Sequence, residues 1–587
     1  MSQSFKAKTP NKLALMTGIG LLTASLLCTT PTLADHNSVV IVQGNDIEQV
    51  KSAVAKVGGK IVDEIKLINA LGVVLSDEQQ QRLRSMKGVI HLYQDRKLET
   101  AGKKNKSYDL SSLFSGSSTS STKDSGSSWS FYPATHYPEQ IGATQLHQEG
   151  ITGEGVTIAV LDTGVRTFMA LGKDASGNDR ATIHYDAIND QIIKSSFLDT
   201  VWDSDNNGHG THISSIAVSS GKSTDGNYNG VAPGAGLVVV KAFDEEGRGT
   251  YMDVIKGIDW VVANKKKYGI KVLNLSFSAP PRSRYWDDPL NQAVMAAWKA
   301  GIVVVTSAGN RGPDPMTVGV PGNVPYVITV GATTDNYTPN DPSDDRLTTF
   351  SSVGPTHEGF IKPEIVAPGG HMQGMMEKWD RLAEAHPEFY DENYVFFTMS
   401  GTSQSTAVIS GVAALILQAN PNLSPDDVKC KLMAAARGPR WSDGSPAFSI
   451  FQMGAGLVNA YAAVHSAETG CANRGMDIAA DLAGEKHYAG MARQDAEGNF
   501  YLEGYEGYVW NGSFLWGDSF LWGDSFLWGD SFLWGDSFLW GDSFLWGDSF
   551  LWGDSFLWGD SFLWGDSFLW GDSLTEPVDI NVWVPQE

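Results

Sequence analysis

The hydrophobic pattern of this 587-residue chain changes character near residue 131. Between residues 39 and 97, strand-like runs such as SVVIV, KIVDEI and GVIHLYQD alternate with stretches such as DIEQVKSAVAKV, in which apolar residues recur at helical spacing. The order of these runs predicts a βαββαβ unit, in which a small antiparallel sheet carries two helices on one face.

From about residue 131 to residue 468 the pattern is that of an α/β domain. Apolar runs such as VTIAVLD, GLVVVKAF, IKVLNLSF, GIVVVTSAGN and PYVITVGA alternate with helical stretches such as YMDVIKGIDWVVANKKK and PLNQAVMAAWKA. Strands that are apolar throughout are typical of a parallel sheet covered by helices on both faces. Ligands of such sheets bind beyond the carboxyl ends of the strands, so functional residues are expected there.

The remaining segments lack either pattern. Residues 1–34 combine three lysines, an apolar run and a Thr-Leu-Ala cleavage site, which predicts a signal peptide and an exported protein. A lipid anchor at Cys28 or an uncleaved anchor fits less well, because Leu27 is large and the apolar run is short. Residues 101–130 are rich in Ser, Gly and Lys and predict a linker.

The C-terminal part of the chain is harder to interpret. Residues 469–512 are Gly-rich and their pattern predicts no fold, so they are treated as a linker. Ten identical SFLWGD copies fill residues 513–572, and a tail follows at 573–587. Gly-Asp is a turn signal, so the copies fit an antiparallel meander. A stacked solenoid, disorder and a recent duplication without function remain open.

Charge and cysteine content narrow the class of protein. The formal net charge is −24, which argues against a nucleic-acid or anionic-membrane partner and fits a secreted protein. Two cysteines, Cys430 and Cys471, remain after the predicted signal peptide. They can pair in an oxidising compartment or stay as two inert thiols, and their spacing matches no zinc site.

Three short motifs carry the residues of a nucleophilic site. Asp162 closes the apolar run of VLDTGV, His209 opens the helical run of NNGHGTHIS, and Ser403 precedes a long apolar helix in SGTSQSTAVISG. A Ser hydroxyl needs a neighbouring imidazole to take its proton, and a carboxylate behind the imidazole stabilises the imidazolium that forms. The side chain of Asn310 and the main-chain N–H of Ser403 are candidate donors to the oxyanion.

These motifs resemble those of the subtilisin (subtilase, S8) family of serine endopeptidases. The resemblance spans about 131–468 and includes LDTGV, GHGTHIS, VLNLSFSA, SAGN, GTSQSTA and GAGLVNAYAAV. It implies a subtilisin-like α/β fold, preceded by an inhibitory, ferredoxin-like propeptide at residues 35–100. It also implies a triad of Asp162, His209 and Ser403, with Asn310 as oxyanion donor and His212 in a structural role.

The resemblance also implies a pocket for the substrate side chain that precedes the scissile bond. Its expected lining residues are Ser276, Phe277, Ser278, Ala308, Gly309 and Gly319. None of them is charged, so apolar or aromatic side chains are the expected substrates. The chemistry needs no cofactor, but structural calcium is common in the family. The acidic loops 203–207 and 335–345 are equally plausible as calcium ligands and as plain loops.

Two departures from the family pattern raise questions. Gln-Ser-Thr-Ala follows the nucleophile at 404–407, where the family usually has Met-Ala-Ser/Thr-Pro. Residues 370–397 form a longer segment than in small subtilisins, which we interpret as a surface insertion, with a lid as the alternative.

The sequence therefore predicts an exported, self-processing serine endopeptidase whose partners are peptide or protein substrates and its own propeptide. The family pattern closes near residue 464, so activity is expected to survive truncation after about residue 470. The SFLWGD tract is expected to self-associate or to bind a cell surface. The alternative function is an adhesion or assembly protein whose repeats do the work and whose peptidase domain is vestigial.

Overall fold

The computed structural model of the chain describes residues 37–95, 97–98, 132–167, 169–180, 183–193, 203–341, 344–391, 395–438, 448–504, 509–510 and 584. The predicted signal peptide, the Ser-rich linker and the SFLWGD repeats lie outside these residues. No helix within the ranges given is long and apolar enough to cross a membrane.

The N-terminal unit has the predicted βαββαβ order. Its elements are β1 (Ser38–Gln43), α1 (Ile47–Val57), β2 (Lys60–Ile65), β3 (Ala70–Leu75), α2 (Asp77–Arg84) and β4 (His91–Gln94). The strands form an antiparallel sheet in the order β2–β3–β1–β4. Local signals fix the helix ends, since Asp46 caps α1 and Ser76 begins α2 with a capping box to Gln79.

The peptidase domain begins after a two-residue strand. That strand is β5 (Lys97–Leu98), and the first elements of the domain are α3 (Tyr137–Gln140), α4 (Ala143–Gln148), β6 (Thr157–Asp162), α5 (Met169–Gly172), β7 (Ile183–Asp186), β8 (Gln191–Ile193), α6 (His209–Val218), β9 (Gly236–Lys241), β10 (Gly249–Thr250), α7 (Tyr251–Tyr268), β11 (Ile270–Leu275) and α8 (Pro289–Lys299). The next are β12 (Val303–Ser307), β13 (Ile328–Thr334), β14 (Arg346–Leu347) and β15 (Ile365–Pro368).

These strands form one large, mostly parallel sheet in the order β14–β13–β12–β11–β6–β9–β7–β8, with β15 also paired to β13. The central pairs are parallel, and only the edge pairs β7–β8 and β13–β14 are antiparallel. Helices cover the sheet, with α7 and α8 in contact with each other on β6, β11 and β12. The predicted α/β fold is confirmed.

The longest apolar helix, α10 (Thr402–Ala419), lies inside the domain. It packs on α6 and on strands β11, β12, β13 and β15, and every residue from 402 to 417 is buried. A helix that is apolar on all sides is expected in such a position. Ala407 stands where the family usually has Pro, and the helix runs unbroken through residues 404–407.

The N-terminal sheet is seated on the peptidase domain. Val40 and Val42 of β1 pack against α1 and α2, whereas Ile41 between them belongs to the core of the peptidase domain. On β3, Gly72 faces α7, where a Cβ atom would lie only 2.6 Å from Met252 Cε. The period-two alternation of strand side chains therefore gives this sheet one face for its own helices and one for α7.

Residues 372–399 are called the insertion here. They contain β16 (Met372–Met375), α9 (Arg381–Ala385), a 3₁₀ helix (Pro387–Phe389), β17 (Tyr390–Asp391) and β18 (Phe396–Met399). The strands form a small antiparallel sheet in the order β16–β18–β17, with an apolar cluster around Met376, Ala383 and Phe397. The insertion is thus a folded element, and β16 packs against α6.

The chain after α10 continues as α11 (Pro425–Ala435), α12 (Ile450–Met453), α13 (Ala460–His465), α14 (Ile478–Leu482), β19 (Ala492–Gln494), β20 (Phe500–Leu502) and β21 (Val509–Trp510). Residues 469–512, for which the pattern predicts no fold, thus include a helix and a three-stranded sheet. Cys430 and Cys471 form a disulfide, which decides between the two alternatives for these cysteines.

Long-range contacts hold this C-terminal segment on the peptidase domain. The buried Asp481 accepts hydrogen bonds from the hydroxyls of Tyr285 (2.6 Å) and Tyr326 (2.9 Å). Ala492 and Phe500 form an apolar cluster with residues of the peptidase domain. Further along, the buried Val584 packs on β13. Because these partners are distant in sequence, local periodicity could not reveal the segment.

Candidate active site

Asp162 and His209 meet at the carboxyl edge of the parallel sheet. Asp162 is the last residue of β6, and His209 is the first residue of α6. His209 Nδ1 lies 2.7 Å from Asp162 Oδ1, and both residues are buried. The other ring nitrogen, His209 Nε2, has no hydrogen-bond partner among the residues that the structure describes. The sequence placed both residues correctly at the ends of their elements.

The electrostatic surroundings favour a charged His209. Burial is the largest single effect and opposes the charge, but the carboxylate of Asp162 outweighs it, so the pKa of His209 lies above its ordinary value. His212, three residues on, differs because burial lowers its pKa to about 3. It is therefore neutral and donates from Nε2 to the main-chain oxygen of Phe397 at 3.0 Å.

Asp205 organises the turn that leads into His209. In the sequence it stood out only as a member of the acidic loop 203–207. Its Oδ1 accepts from the main-chain N–H of Asn207 (3.1 Å) and Gly208 (2.9 Å), and its Oδ2 accepts from the N–H (2.8 Å) and hydroxyl (2.6 Å) of Thr211. An Asp in a polar loop normally signals only solvation, so no local feature marked this residue.

Ser403 lies in the first turn of α10. Its hydroxyl donates to the main-chain oxygen of Ser276 at 2.8 Å, and the residue is 0% exposed. Gln404 Nε2, in the next residue, lies 3.5 Å from His212 Nδ1, which brings the first turns of α10 and α6 side by side. The structure therefore brings Ser403 to the same edge of the sheet as Asp162 and His209.

Asn310 follows β12 and is held by Thr402, the residue before Ser403. Its Oδ1 accepts from the main-chain N–H (3.0 Å) and the hydroxyl (2.8 Å) of Thr402. These bonds orient the amide so that Nδ2 lies on the side of Gly401, whose added Cβ would lie 3.3 Å from it. Thr402 is a second orienting residue that sequence reasoning missed.

The residues expected to line the substrate pocket come together, with one exception. Ser278 Oγ would lie 2.7 Å from a Cβ on Gly309 and 2.1 Å from a Cβ on Gly319, so both positions need glycine. Gly319 N–H also donates to Ala308 O at 3.1 Å. The ring of Phe277 instead packs in the core, with its centroid 5.4 Å from that of Phe243. Only the main chain of Phe277 can therefore border the expected pocket.

In the two loops considered for calcium, described carboxylates are bonded to protein groups. In 203–207 both oxygens of Asp205 are occupied by protein donors, and in 335–345 Asp335 is paired with His371 (2.7 Å) and Gln140 (2.6 Å). Across the described part of the chain, no group of three or more His, Cys, Asp or Glu residues is placed to hold a metal ion. We therefore assign no residues to calcium.

Comparisons with known proteins agree with this geometry. The model of the subtilase family matches residues 153–467, just over half of the chain. Serine protease AprX of Bacillus subtilis is 38% identical over 338 residues, which cover 56% of this chain and 69% of that protein. Subtilisin DY of Bacillus licheniformis is 30% identical over 326 residues, which cover 55% of this chain and 96% of that protein.

A solved structure supports the fold. Fervidolysin from Fervidobacterium pennivorans, described as a keratinolytic enzyme related to subtilisin, superposes with a TM-score of 0.53 at 23% identity. The alignment covers 74% of this chain and 61% of that one. Together the fold and the site define a subtilisin-like serine protease. By its family match and its relatives, the chain belongs to the subtilase family, peptidase family S8.

Proposed function

We propose that this protease cleaves peptide bonds through an acyl-enzyme formed on Ser403. The Ser403 hydroxyl rotates from its contact with Ser276 toward His209 Nε2, which takes its proton as Oγ attacks the substrate carbonyl. Asp162, 2.7 Å from Nδ1, stabilises the imidazolium. The Asp162–His209 pair beside the first turn of α10 is the observation that carries this proposal.

The tetrahedral intermediate then collapses to the acyl-enzyme. The substrate C–N bond breaks as His209 passes the proton to the leaving amine, and water releases the acyl group by the reverse sequence of proton transfers. Asn310 Nδ2 and the main-chain N–H of Ser403 donate to the oxyanion. The N-terminus of α10 supports this assignment, since N–H groups in the first turn lack intrahelical partners and favour negative charge.

The substrate pocket is assigned to apolar or aromatic side chains. Its support is that Ser278, Ala308, Gly309 and Gly319 lie next to one another and offer only main chain, a methyl group and a hydroxyl. None of these groups carries a charge that would balance a Lys, Arg, Asp or Glu of the substrate.

We further propose that the chain is the exported precursor of the enzyme and that residues 35–100 inhibit it until self-processing. Strand β5 pairs antiparallel with β10, with Leu98 opposite Gly249 and Lys97 opposite Thr250. Such strand addition is a common mode of peptide binding at a sheet edge. Ser403 is 0% exposed in the full-length chain, which fits an inhibited form.

A label for active serine tests the nucleophile. In Ser403→Ala, casein hydrolysis and labelling by a fluorophosphonate probe should disappear, and the precursor should keep residues 35–100. Ser405→Ala is the matched control, because Ser405 lies in the same turn but its hydroxyl donates to Ala367 O at 3.0 Å. This variant should label and mature like the wild type. Normal maturation of purified Ser403→Ala would refute self-processing.

A further inference from the structure

The insertion touches the loop that leads into His209 through its main chain. The N–H of Arg381 donates to Asn206 O at 3.0 Å, and the N–H of Leu382 donates to Asn207 O at 3.1 Å. These carbonyls lie three and two residues before His209. Because a bonded carbonyl fixes the orientation of its peptide plane, the first turn of α9 constrains the backbone at this point.

A buried arginine links the insertion to the loop that follows Asp162 and to the loop that precedes His209. Arg166, four residues after Asp162, donates from Nη2 to Asp380 (3.4 Å) and to the main-chain oxygen of Asp205 (3.3 Å), and it pairs with Asp203 at 2.8 Å. Arg166 is 8% exposed and Asp380 is 0% exposed. Removal of Arg166 leaves Asp380 buried without its cation, whereas removal of Asp380 leaves Arg166 paired with Asp203.

The insertion also packs against α6 on both sides of His209. On the residue before it, Gly208, a Cβ would lie 2.9 Å from the side chain of Met376. On the next turn, the His212 ring lies against Gly374, where a Cβ would be 2.7 Å from the ring, and it bonds to Phe397 O. The insertion therefore contacts main chain or side chains just before and just after His209.

We infer that the insertion is a positioning element for His209, and that the main chain of Arg381 and the Arg166–Asp380 pair are the groups through which it acts. The inference rests on the proposed role of His209 as the base. Arg381 and Arg166 act through the loop backbone and do not touch substrate. A small displacement of a catalytic group by a distant change can lower turnover by up to about 10²-fold.

Arg381 offers a test that separates main chain from side chain. It is the first residue of α9, a position where proline is well tolerated, and Asp380 before it is extended, as a residue before proline requires. Arg381→Pro removes the N–H that bonds Asn206, and it also removes the exposed ion pair with Glu246 (2.7 Å). Arg381→Ala removes only the ion pair and is the matched control.

The two variants should differ in turnover. We expect kcat of Arg381→Ala to stay within about twofold of wild type, because exposed ion pairs contribute little. Arg381→Pro should lower kcat about tenfold with KM nearly unchanged, because the substrate pocket is intact while the base is displaced. Fluorophosphonate labelling carried to completion counts the sites that retain a reactive Ser403, so a loss of folded protein is not mistaken for a loss of turnover. Equal kcat in both variants would overturn the main-chain role.

A double-mutant comparison tests the buried pair. Arg166→Met and Asp380→Ala should each lower kcat, and the loss in the double variant should be smaller than the two single losses combined, because both variants remove the Arg166–Asp380 contact. Arg166→Lys should recover part of kcat. The control is Arg493→Met, which breaks the exposed Arg493–Glu503 pair of the C-terminal segment (2.6 Å) and should leave kcat unchanged.

A parallel variant of His209 distinguishes a wrong role for His209 from a wrong role for the insertion. His209→Ala, assayed in parallel, should be inactive, and activity in that variant would refute both the base and its positioning. If His209→Ala is inactive but Arg166→Met and Asp380→Ala lower only the melting temperature, with kcat per titrated site unchanged, the insertion is a structural element alone and the inference is wrong.

Discussion

Ser403 Oγ donates a hydrogen bond to the main-chain oxygen of Ser276 at 2.8 Å, while no described residue forms a hydrogen bond with His209 Nε2. His209 is thus already paired with Asp162 in the full-length chain, whereas the Ser403 hydroxyl is bonded to a main-chain oxygen. A hydroxyl bonded to a carbonyl is not activated for attack, since activation requires an acceptor that can take the proton. In the proposed mechanism, attack therefore requires the Ser403 hydroxyl to rotate from Ser276 O toward His209 Nε2.

The Asp162–His209 pair predicts the pH range of activity. The carboxylate of Asp162 holds the pKa of His209 above 6.5, and only the neutral imidazole accepts the Ser403 proton. For the mature enzyme, kcat/KM should therefore rise with pH, with a midpoint above 6.5. In Asp162→Asn the midpoint should move to lower pH, and kcat should fall by about 10⁴-fold, the loss seen for this change in a serine protease of another fold. An unchanged midpoint would exclude His209 as the titrating group.

Asn310 should contribute to turnover rather than to substrate affinity. The oxyanion exists only after attack, so Asn310→Leu should leave KM nearly unchanged and lower kcat about 10²–10³-fold; this magnitude is carried over from the loss of one such donor in a subtilisin. Thr402→Val removes one of the two bonds that orient the amide and should cause a smaller loss. Equal kcat in wild type and Asn310→Leu would remove Asn310 from the site.

The part of this site that the sequence predicts is the part with a local signal. Asp162, His209 and Ser403 each lie where an apolar run ends or begins, so the periodicity shows both the element and its end. Asp205 and Thr402 have no such signal, because their roles depend on donors and acceptors from other loops. A buried polar residue in a loop looks like a solvated one until the fold brings its partners to it.

The C-terminal segment is a longer region whose structure no local sequence pattern predicts. Residues 469–512 have no regular pattern, yet Asp481, Ala492 and Phe500 are buried by contacts with the peptidase domain. The long strands and helices of the large sheet are predictable because each carries its own period. Short elements that are stabilised by distant partners carry none.

Asp95 predicts how pH affects propeptide docking. It accepts from Met252 N–H at 3.0 Å, and burial raises its pKa to about 6, against 3.8 for an ordinary Asp. A group whose pKa is raised on docking takes up a proton, so its contribution favours docking at acid pH and is lost as the pH rises through about 6. The nearby carboxylates of Asp63 and Asp253 act in the same direction.

An amide at this position imitates the protonated carboxyl. Residues 35–100 carrying Asp95→Asn and added to mature enzyme at about pH 8 should inhibit more tightly than wild type, by about tenfold to a hundredfold, since each unit of pKa is worth tenfold. At this pH His91, whose pKa burial lowers, is neutral in both states and does not contribute. Weaker inhibition by Asp95→Asn would mean that the charged carboxylate is required for docking.

Truncation should distinguish the C-terminal segment from the repeats. The expectation that activity survives truncation after residue 470 changes, because that cut removes Cys471 and Asp481. Loss of the disulfide costs about 2–5 kcal/mol, and each buried tyrosine hydroxyl left without Asp481 costs about 1–3 kcal/mol. A chain ending at residue 470 should melt well below wild type or fail to fold. Of the described contacts, a chain ending at 510 loses only those of Val584 with the cluster on β13, so it should melt close to wild type and keep its kcat. Equal melting temperatures for the two chains would show that the segment is dispensable.

Deletion of the SFLWGD copies, residues 513–572, should change association and not turnover. Each copy carries Phe, Leu and Trp, and SFLW strands would carry apolar side chains on both faces, which one sheet cannot cover and which favour pairing with other chains. The described peptidase domain buries its own core without them. Full-length protein should therefore sediment as an assembly or remain on cells, whereas the deletion variant should be monomeric and released, with equal kcat.

Adding a chelator to the full-length protein tests whether the one Asp per copy binds calcium. If both proteins are monomeric and freely released, the tract is not an attachment element; if the deletion variant loses peptidase activity, the repeats belong to the catalytic unit.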